Sequence, residues 1–320
     1  MEKSLRGILW RDLPLVNYAL YAVGIAHAEI SNLPTQRLDL VFTAVFPMLI
    51  PWIIYGLRWS KASRGERLVA MGIGLGVPLL IALNVVVGSR VVLERETLRT
   101  IYEWVAIGNT VVLMLHAASH DRRWLTFFLG PCLLYGLLLE NGGIALGYFS
   151  EMHYSLYLGP LPAPVATMSG WVTVFYIVVW TMWEVKSLCP RISRSPMACV
   201  GVALAAALCF DLQVDPLATE VGFWEWHPSL TRAWLGVPLL NYVAWSAAVA
   251  PFAWVIAWRE ERFGLERGEI TRDENVRWLT LRVPAVLGVA AVLFLGGMAC
   301  VEGGFGGPAF VILREALEGL

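Results

Sequence analysis

The sequence predicts an all-α, polytopic integral membrane helical bundle, and three observations carry that prediction. Hydrophobic residues make up 58% of the 320-residue chain and charged residues only 15%, whereas soluble domains are about half apolar and about a quarter charged. The mean hydropathy is +0.62. The apolar residues gather into blocks long enough for helices, which need about 20 mainly apolar residues to cross the hydrocarbon core. With 24 Lys+Arg against 25 Asp+Glu, the net charge of −1 supplies no basic field for nucleic acid. The 15 Trp suit membrane interfaces or the walls of a large apolar cavity. A soluble enzyme, a disordered chain and a nucleic-acid binder are all poor readings.

Nine stretches qualify as spans, or eight if the first stops short of crossing. The first, 13–30, follows the charged segment Met1 to Arg11 and has no small-residue cleavage site, so it reads as a retained helix rather than a signal peptide. It is also the weakest, because His27 and Glu29 close it. Stretches 38–57 and 67–88 flank the basic run from Arg58 to Arg67, and 100–118 precedes Arg122 and Arg123. Stretches 124–148 and 164–185 follow, then 196–214, 234–258 and 281–300. The Gly-rich, weakly amphipathic end from Gly303 to Leu320 is placed at the interface. No repeat or soluble domain is visible, and 1–320 reads as a single membrane domain.

Charge sets the orientation. With the N-terminus inside, 18 of the 24 basic residues fall on inner segments, and only Arg37, Arg90, Arg95, Arg99, Arg232 and Arg314 fall outside. That bias follows the positive-inside rule and predicts nine spans with the N-terminus cytoplasmic and the C-terminus outside. Two outer connections then open on one face: 149–163, FSEMHYSLYLGPLPA, and 215–233, DPLATEVGFWEWHPSLTRA. Their density of aromatic, Pro and acidic residues is unusual for simple connectors.

Intramembrane carboxyls are functional candidates by default. Glu140 follows GPCLLYGLLL and lies about eight residues from its helix end, roughly 12 Å deep at 1.5 Å per residue. A neutral carboxylic acid in an apolar cavity is what proton donation to carbon requires. The competing structural reading is an inter-helix hydrogen bond. Asp211 and Asp215 end the seventh span four residues apart, on one helix face. Asp215-Pro216 also looks like an N-cap with Pro at the first helical position, so Asp215 is expected to start a short re-entrant helix. Glu220 is a weaker acidic candidate in the same connection. The DxxxD spacing invites a magnesium-diphosphate reading, but only four other Asp exist and the outer face carries few Arg.

Tyr148, His153, Tyr154, Tyr157, Trp171, Phe223, Trp224, Trp226 and Trp234 form an aromatic set around the two connections. Singly each fits an interfacial belt; together they can wall a hydrophobic slot whose ring faces steady a carbocation. His153 and His227 read as interface residues rather than metal ligands. Cys132, Cys199, Cys209 and Cys300 sit in apolar runs, Cys189 precedes Pro190, and no CxxC or Cys/His metal spacing occurs. No metal site is expected.

At these residues the chain resembles a known family. Glu140-Asn141-Gly142-Gly143, then Gly147-Tyr148, then GPLPAPV leading to Trp171 resembles the first signature of the membrane carotenoid biosynthesis family, whose best-known members are CruF-type carotenoid 1,2-hydratases. Asp211-Leu-Gln-Val-Asp215-Pro216, then Gly222-Phe223-Trp224-Glu225-Trp226, resembles the second. It continues into Gly236-Val237-Pro238 and Asn241-Tyr242-Val243-Ala244-Trp245, similar to the family's G(I/V)P..N(Y/F).GW with Ala244 in place of Gly. The likeness covers about 131–258, and LGYFSEMHYS stands where a compact Gly-x-Tyr-x-Tyr is expected. The resemblance implies cofactor-free addition of water to the terminal double bond of an acyclic carotenoid. Glu140 or Asp211 would donate the proton. Asp215 and Glu220 would place water, with Asn241 holding that water or an acid. Tyr148, His153, Tyr154, Trp171, Trp224 and Trp226 would line the polyene. Its implied partners are a lipophilic polyene, water, membrane lipid and other enzymes of the carotenoid pathway, without nucleic acid. Its implied location is a bacterial or archaeal cytoplasmic membrane.

Two other readings use the same residues. A membrane carotenoid or terpene cyclase shares the protonation step and ends in ring closure. A proton-coupled transporter or lipid-binding protein would also use buried acids, but no inverted repeat or paired broken spans support it.

Overall fold

The computed structural model describes residues 5–31, 41–87, 94–120, 122–151, 154–263 and 277–319. They form a helical bundle with four short strands at one end. The helices are α1 (Leu5–Arg11), α2 (Leu13–Ser31), α3 (Val45–Arg58) and α4 (Arg64–Val86). Next come α5 (Arg95–His120), α6 (Trp124–Ala145), α7 (Val165–Leu188) and α8 (Pro190–Ser193). The last four are α9 (Pro196–Val221), α10 (Leu239–Phe263), α11 (Thr280–Val301) and α12 (Pro308–Glu318). Seven of them, α4 to α7 and α9 to α11, are long and apolar enough to cross a membrane. The first predicted stretch is helical over its full length in α2, and the second is helical over a shorter range in α3. The apolar part of α2 is Leu13–Gly24, before the polar His27 and Glu29, and α3 has 14 residues.

Burial ranks the spans. Within its apolar window α7 is 67% buried, against 11% for α4 and 22% for α11. A helix apolar all round belongs in the middle of a bundle, and α7 touches α2, α3, α5, α6 and α9. Its run VTVFYIVVW is rich in β-branched and aromatic residues, which are weak helix formers. In lipid the backbone must still satisfy itself, and the helix is the one-chain solution. In α6, Pro131 cannot donate a backbone N–H, and the helix widens into a π turn at Phe128–Cys132.

The expected break at Asp215-Pro216 does not occur: α9 begins on the Ser195 cap and runs through Pro216 to Val221. Proline at 216 removes the donor for the carbonyl four residues earlier. That carbonyl, Leu212 O, instead accepts from the Trp234 indole N–H at 3.3 Å, so the helix continues with its orphaned acceptor filled. It ends where Gly222 turns left-handed at φ 74° and Arg99 donates to Val221 O at 2.9 and 3.2 Å, a cation on the negative end of the helix.

Both aromatic connections lie at one end, as the topology predicted. β1 (Phe149–Glu151) and β2 (Trp224–Trp226) pair antiparallel, with Phe149 opposite Trp226 and Glu151 opposite Trp224. β3 (Arg232–Trp234) and β4 (Val237–Pro238) close a hairpin through Leu235 and Gly236, both at positive φ. Two side chains hold the first connection down. Glu103 on α5 accepts the backbone N–H of Ser155 at 2.9 and 3.1 Å and of Leu156 at 2.9 Å. Asn141 accepts from Ala163 N at 3.0 Å. At the opposite end Arg11, Asp12, Arg58, Glu66 and Glu184 tie α1 to α4 and α7 into an ion network.

Candidate active site

A cavity of about 430 Å³ lies between α6 and α7 on one side and α9, α10 and α11 on the other, under the paired connections. Its walls are mostly apolar and aromatic, and among the described residues no Lys or Arg lines them. Three carboxyls, Glu103, Glu140 and Asp215, line it. Glu103 is committed to the loop backbone as described above, which leaves Glu140 and Asp215 as the acids offered to a ligand.

Glu140 sits on α6 and is 8% exposed. The indole N–H of Trp171, on α7, donates to its Oε2 at 2.5 Å. The two helices come this close because residue 136 is glycine: a Cβ there would collide with the Trp171 side chain. The i, i+4 spacing from Gly136 to Glu140 puts the gap and the acid on one face of α6.

Asp211 and Asp215 sit one turn apart on α9, 0% and 3% exposed. Asn241, at the start of α10, faces both. Its amide N–H donates to Asp211 Oδ1 and Oδ2 at 3.3 and 3.2 Å and to Asp215 Oδ2. Asp215 also lies against the Asp211 carboxyl and the Trp245 indole N–H. Asp215 reaches the cavity and Asp211 stands behind it, outside the walls. Such a pair can hold one proton in common and present it at a single point.

The two acid centres are joined by their indoles. Trp171 and Trp245 stack with centroids 4.8 Å apart at 31°, and Trp171 also stacks on Phe175 at 5.6 Å. Each carboxyl therefore abuts a tryptophan whose π face belongs to a shared stack. Such faces attract positive charge, most strongly where water is excluded.

The remaining predicted residues fall as follows. Tyr148, Tyr154, Trp171, Trp224, Trp226 and Asn241 all line the cavity. The Tyr148 hydroxyl donates to Met298 Sδ at 3.2 Å and to Ala309 O at 3.3 Å, and burial pushes this phenol up to about 12. Tyr154 stacks on Phe223 at 5.4 Å. Trp226 donates to Thr219 Oγ1 at 2.9 Å, while the buried Trp224 indole N–H has no partner among the described residues. Glu220, near the end of α9, stands outside the walls. His153 lies outside the described residues. Sequence reasoning passed over Tyr21, Tyr102, Glu103 and Phe294, which also form the walls. Glu103 carried a detectable signal, a carboxyl inside the apolar run IYEWVAIG. The other three are ordinary aromatic positions in spans far apart in sequence.

The chain matches the family model described as "Carotenoid biosynthesis protein" over residues 101–313. No curated protein and no solved structure matches it. The matched range begins in α5 and ends in α12, and it contains every cavity wall residue except Tyr21. With more than half of its 320 residues inside that match, the chain belongs to the carotenoid biosynthesis protein family.

Proposed function

We propose that the protein is a cofactor-independent hydratase that adds water across the terminal trisubstituted double bond of an acyclic carotenoid. The observation that carries this reading is the pairing of two acid centres, Glu140 and Asp211/Asp215, across the stacked Trp171 and Trp245 in one apolar cavity. Membership of a carotenoid biosynthesis family implies a carotenoid substrate, and the lining suits an unfunctionalised isoprenoid end.

The reaction balances with one substrate and one water. An acid gives its proton to the CH carbon of the terminal alkene, and the π electrons of that bond form the new C–H bond. The positive charge falls on the dimethyl carbon as a tertiary cation, facing the indole stack. Water attacks that carbon and loses a proton to a second carboxylate, leaving a tertiary alcohol, and the site resets when that carboxylate releases its proton and the donor takes one up. Asp215 suits the donor, with Asp211 behind it as the proton store and Asn241 fixing both side chains. Glu140, oriented by the Trp171 N–H, suits the group that positions water and takes its proton. The reverse assignment, with Glu140 as donor, uses the same residues. Glu140→Gln and Asp215→Asn test the pair, with product mass read on extracted pigment. Each should cut turnover while the protein still folds. Near-normal turnover in either removes that residue from the mechanism.

A cyclase shares the first step and differs in how the cation is quenched. The buried Glu140 carboxyl favours water as the quencher, because it offers water a hydrogen-bond partner in an otherwise apolar space.

A further inference from the structure

We propose that the cavity opens sideways into the lipid between α6 and α11, and that the substrate enters end first through this portal while its polyene tail stays in the bilayer. The proposal deepens the reading above, since it concerns how a long lipophilic substrate reaches the same acids.

The seams around the cavity differ. The α6–α7 seam is closed at Gly136, where only hydrogen leaves room for Trp171. The α10–α11 seam is closed in the same way at Gly297, where a Cβ would collide with Val243. The α9–α10 seam is packed along its length and is clasped by Asn241 on Asp211 and Asp215. The α6–α11 seam is clasped at its two ends. At one end the π turn Phe128–Cys132 of α6 meets the π turn Trp278–Arg282 that leads into α11. At the other, Tyr148 just beyond α6 donates to Met298 on α11 and Ala309 on α12.

Between those clasps the two helices touch sparsely. There Leu138 on α6 and Ala291 on α11 both line the cavity and are both exposed, Leu138 by 42%. Exposed wall residues facing each other across this thinly packed seam mark it as the place for an opening. Its surroundings are apolar, with Val289 50% and Val292 69% exposed on the same helix, so the opening faces lipid. Glu140 lines the same cavity from α6, the helix that carries Leu138.

Size points the same way. At about 430 Å³ the cavity is within the range of sites for drug-sized ligands. An extended carotenoid is about as long as the hydrocarbon core is thick, about 30 Å. The end group and a few isoprene units fit, and the rest must lie elsewhere. A lateral opening lets the tail remain in lipid with no polar surface to cross. The protein therefore reads the end group and leaves the far end unread, and a carotene with two identical ends is handled one end per entry.

The test is carotene retention by full-length protein purified in detergent from a bacterial host that accumulates an acyclic C40 carotene, scored as pigment per mole of protein. Ala291→Trp fills the opening, and Val292→Trp places the same ring on the neighbouring lipid-facing position outside the cavity walls. The Val292 variant should retain carotene like the parent, and the Ala291 variant about tenfold less, with both eluting as the same folded species. If Ala291→Trp does not fold, Leu138→Trp puts the same block on the other lip. Equal retention in the Ala291 and Val292 variants overturns the portal, as does carotene conversion by Ala291→Trp at the parent rate. Ala291-dependent retention with a product of unchanged mass supports the portal and overturns hydration.

Discussion

The bundle carries two clusters of ionisable side chains, one half-buried around the buried Asp12 and one buried, at opposite ends and built on opposite rules. In the cluster away from the strands Asp12, Glu66 and Glu184 each meet a guanidinium. Arg58 reaches Asp12 at 2.9 Å and Glu184 at 2.6 Å, and Arg11 reaches Asp12 at 2.8 Å and Glu66 at 2.5 Å. At the strand end Glu140 and the Asp211/Asp215 pair are approached by indole and amide N–H groups, and no Lys or Arg lines their cavity among the described residues. A matched ion pair fixes its protons and serves as a clasp. A carboxyl faced by neutral donors keeps its orientation and stays free to exchange a proton. The first cluster holds helices together, and the second is placed to do chemistry.

Mutations can break that contrast. The largest effect is expected at the unmatched cluster. Glu140→Gln or Asp215→Asn should lower turnover by about 10²- to 10⁴-fold, the usual contribution of a positioned acid or base, with little change in thermal midpoint in detergent. A large drop in midpoint with normal turnover per folded molecule would make the strand-end acids structural. The matched cluster should behave the other way. Asp12→Ala strips a fully buried carboxylate from Arg11 and Arg58, and should destabilise the fold by about 3 kcal/mol while leaving turnover per folded molecule near normal. Loss of turnover without loss of stability would couple the two ends.

Smaller changes sharpen the comparison. Trp171→Leu removes both the N–H to Glu140 and a ring of the stack. At about 2 kcal/mol for a desolvated cation–π contact, turnover should fall about 30-fold. Trp171→Phe keeps a ring and should recover part of that loss; equal damage from both variants would assign the role to the N–H alone. Glu103→Gln should show least in the chemistry. It weakens the carboxylate's hold on Ser155 and Leu156, worth about 1.5–3 kcal/mol for hydrogen bonds to a charged group. It should raise KM more than it lowers kcat. A kcat effect as large as that of Glu140→Gln would make Glu103 a third reacting acid.

Much of the architecture was legible because lipid leaves a chain few choices. Blocks of apolar residues must become helices, and seven of the nine predicted stretches are helices of spanning length. The pairing of β1 with β2 agrees with the shared face expected from the basic residues. The extent of α3 and the course of α9 were less legible. Asp215-Pro216 has the local form of a helix start, and only a nonlocal partner, the Trp234 N–H on Leu212 O, lets the helix run through. At the site, Glu140, Asp211, Asp215 and Asn241 stood out as polar residues in apolar runs. Tyr21, Tyr102 and Phe294 did not, since an aromatic residue in a span looks the same whether it faces lipid, core or cavity. Glu103 shows the converse. Its composition signal resembles that of Glu140, and only the loop N–H groups above it reveal an anchoring role.

The most direct measurement is the mass of the pigment formed when the full-length protein is expressed in a bacterium that accumulates an acyclic carotene, grown in ordinary water and in ¹⁸O-labelled water. Hydration at the strand-end cavity gives a more polar pigment heavier by one water, carries the label from the solvent, and disappears in Glu140→Gln. A pigment of unchanged mass with a new ring would contradict hydration and make the same acids those of a cyclase.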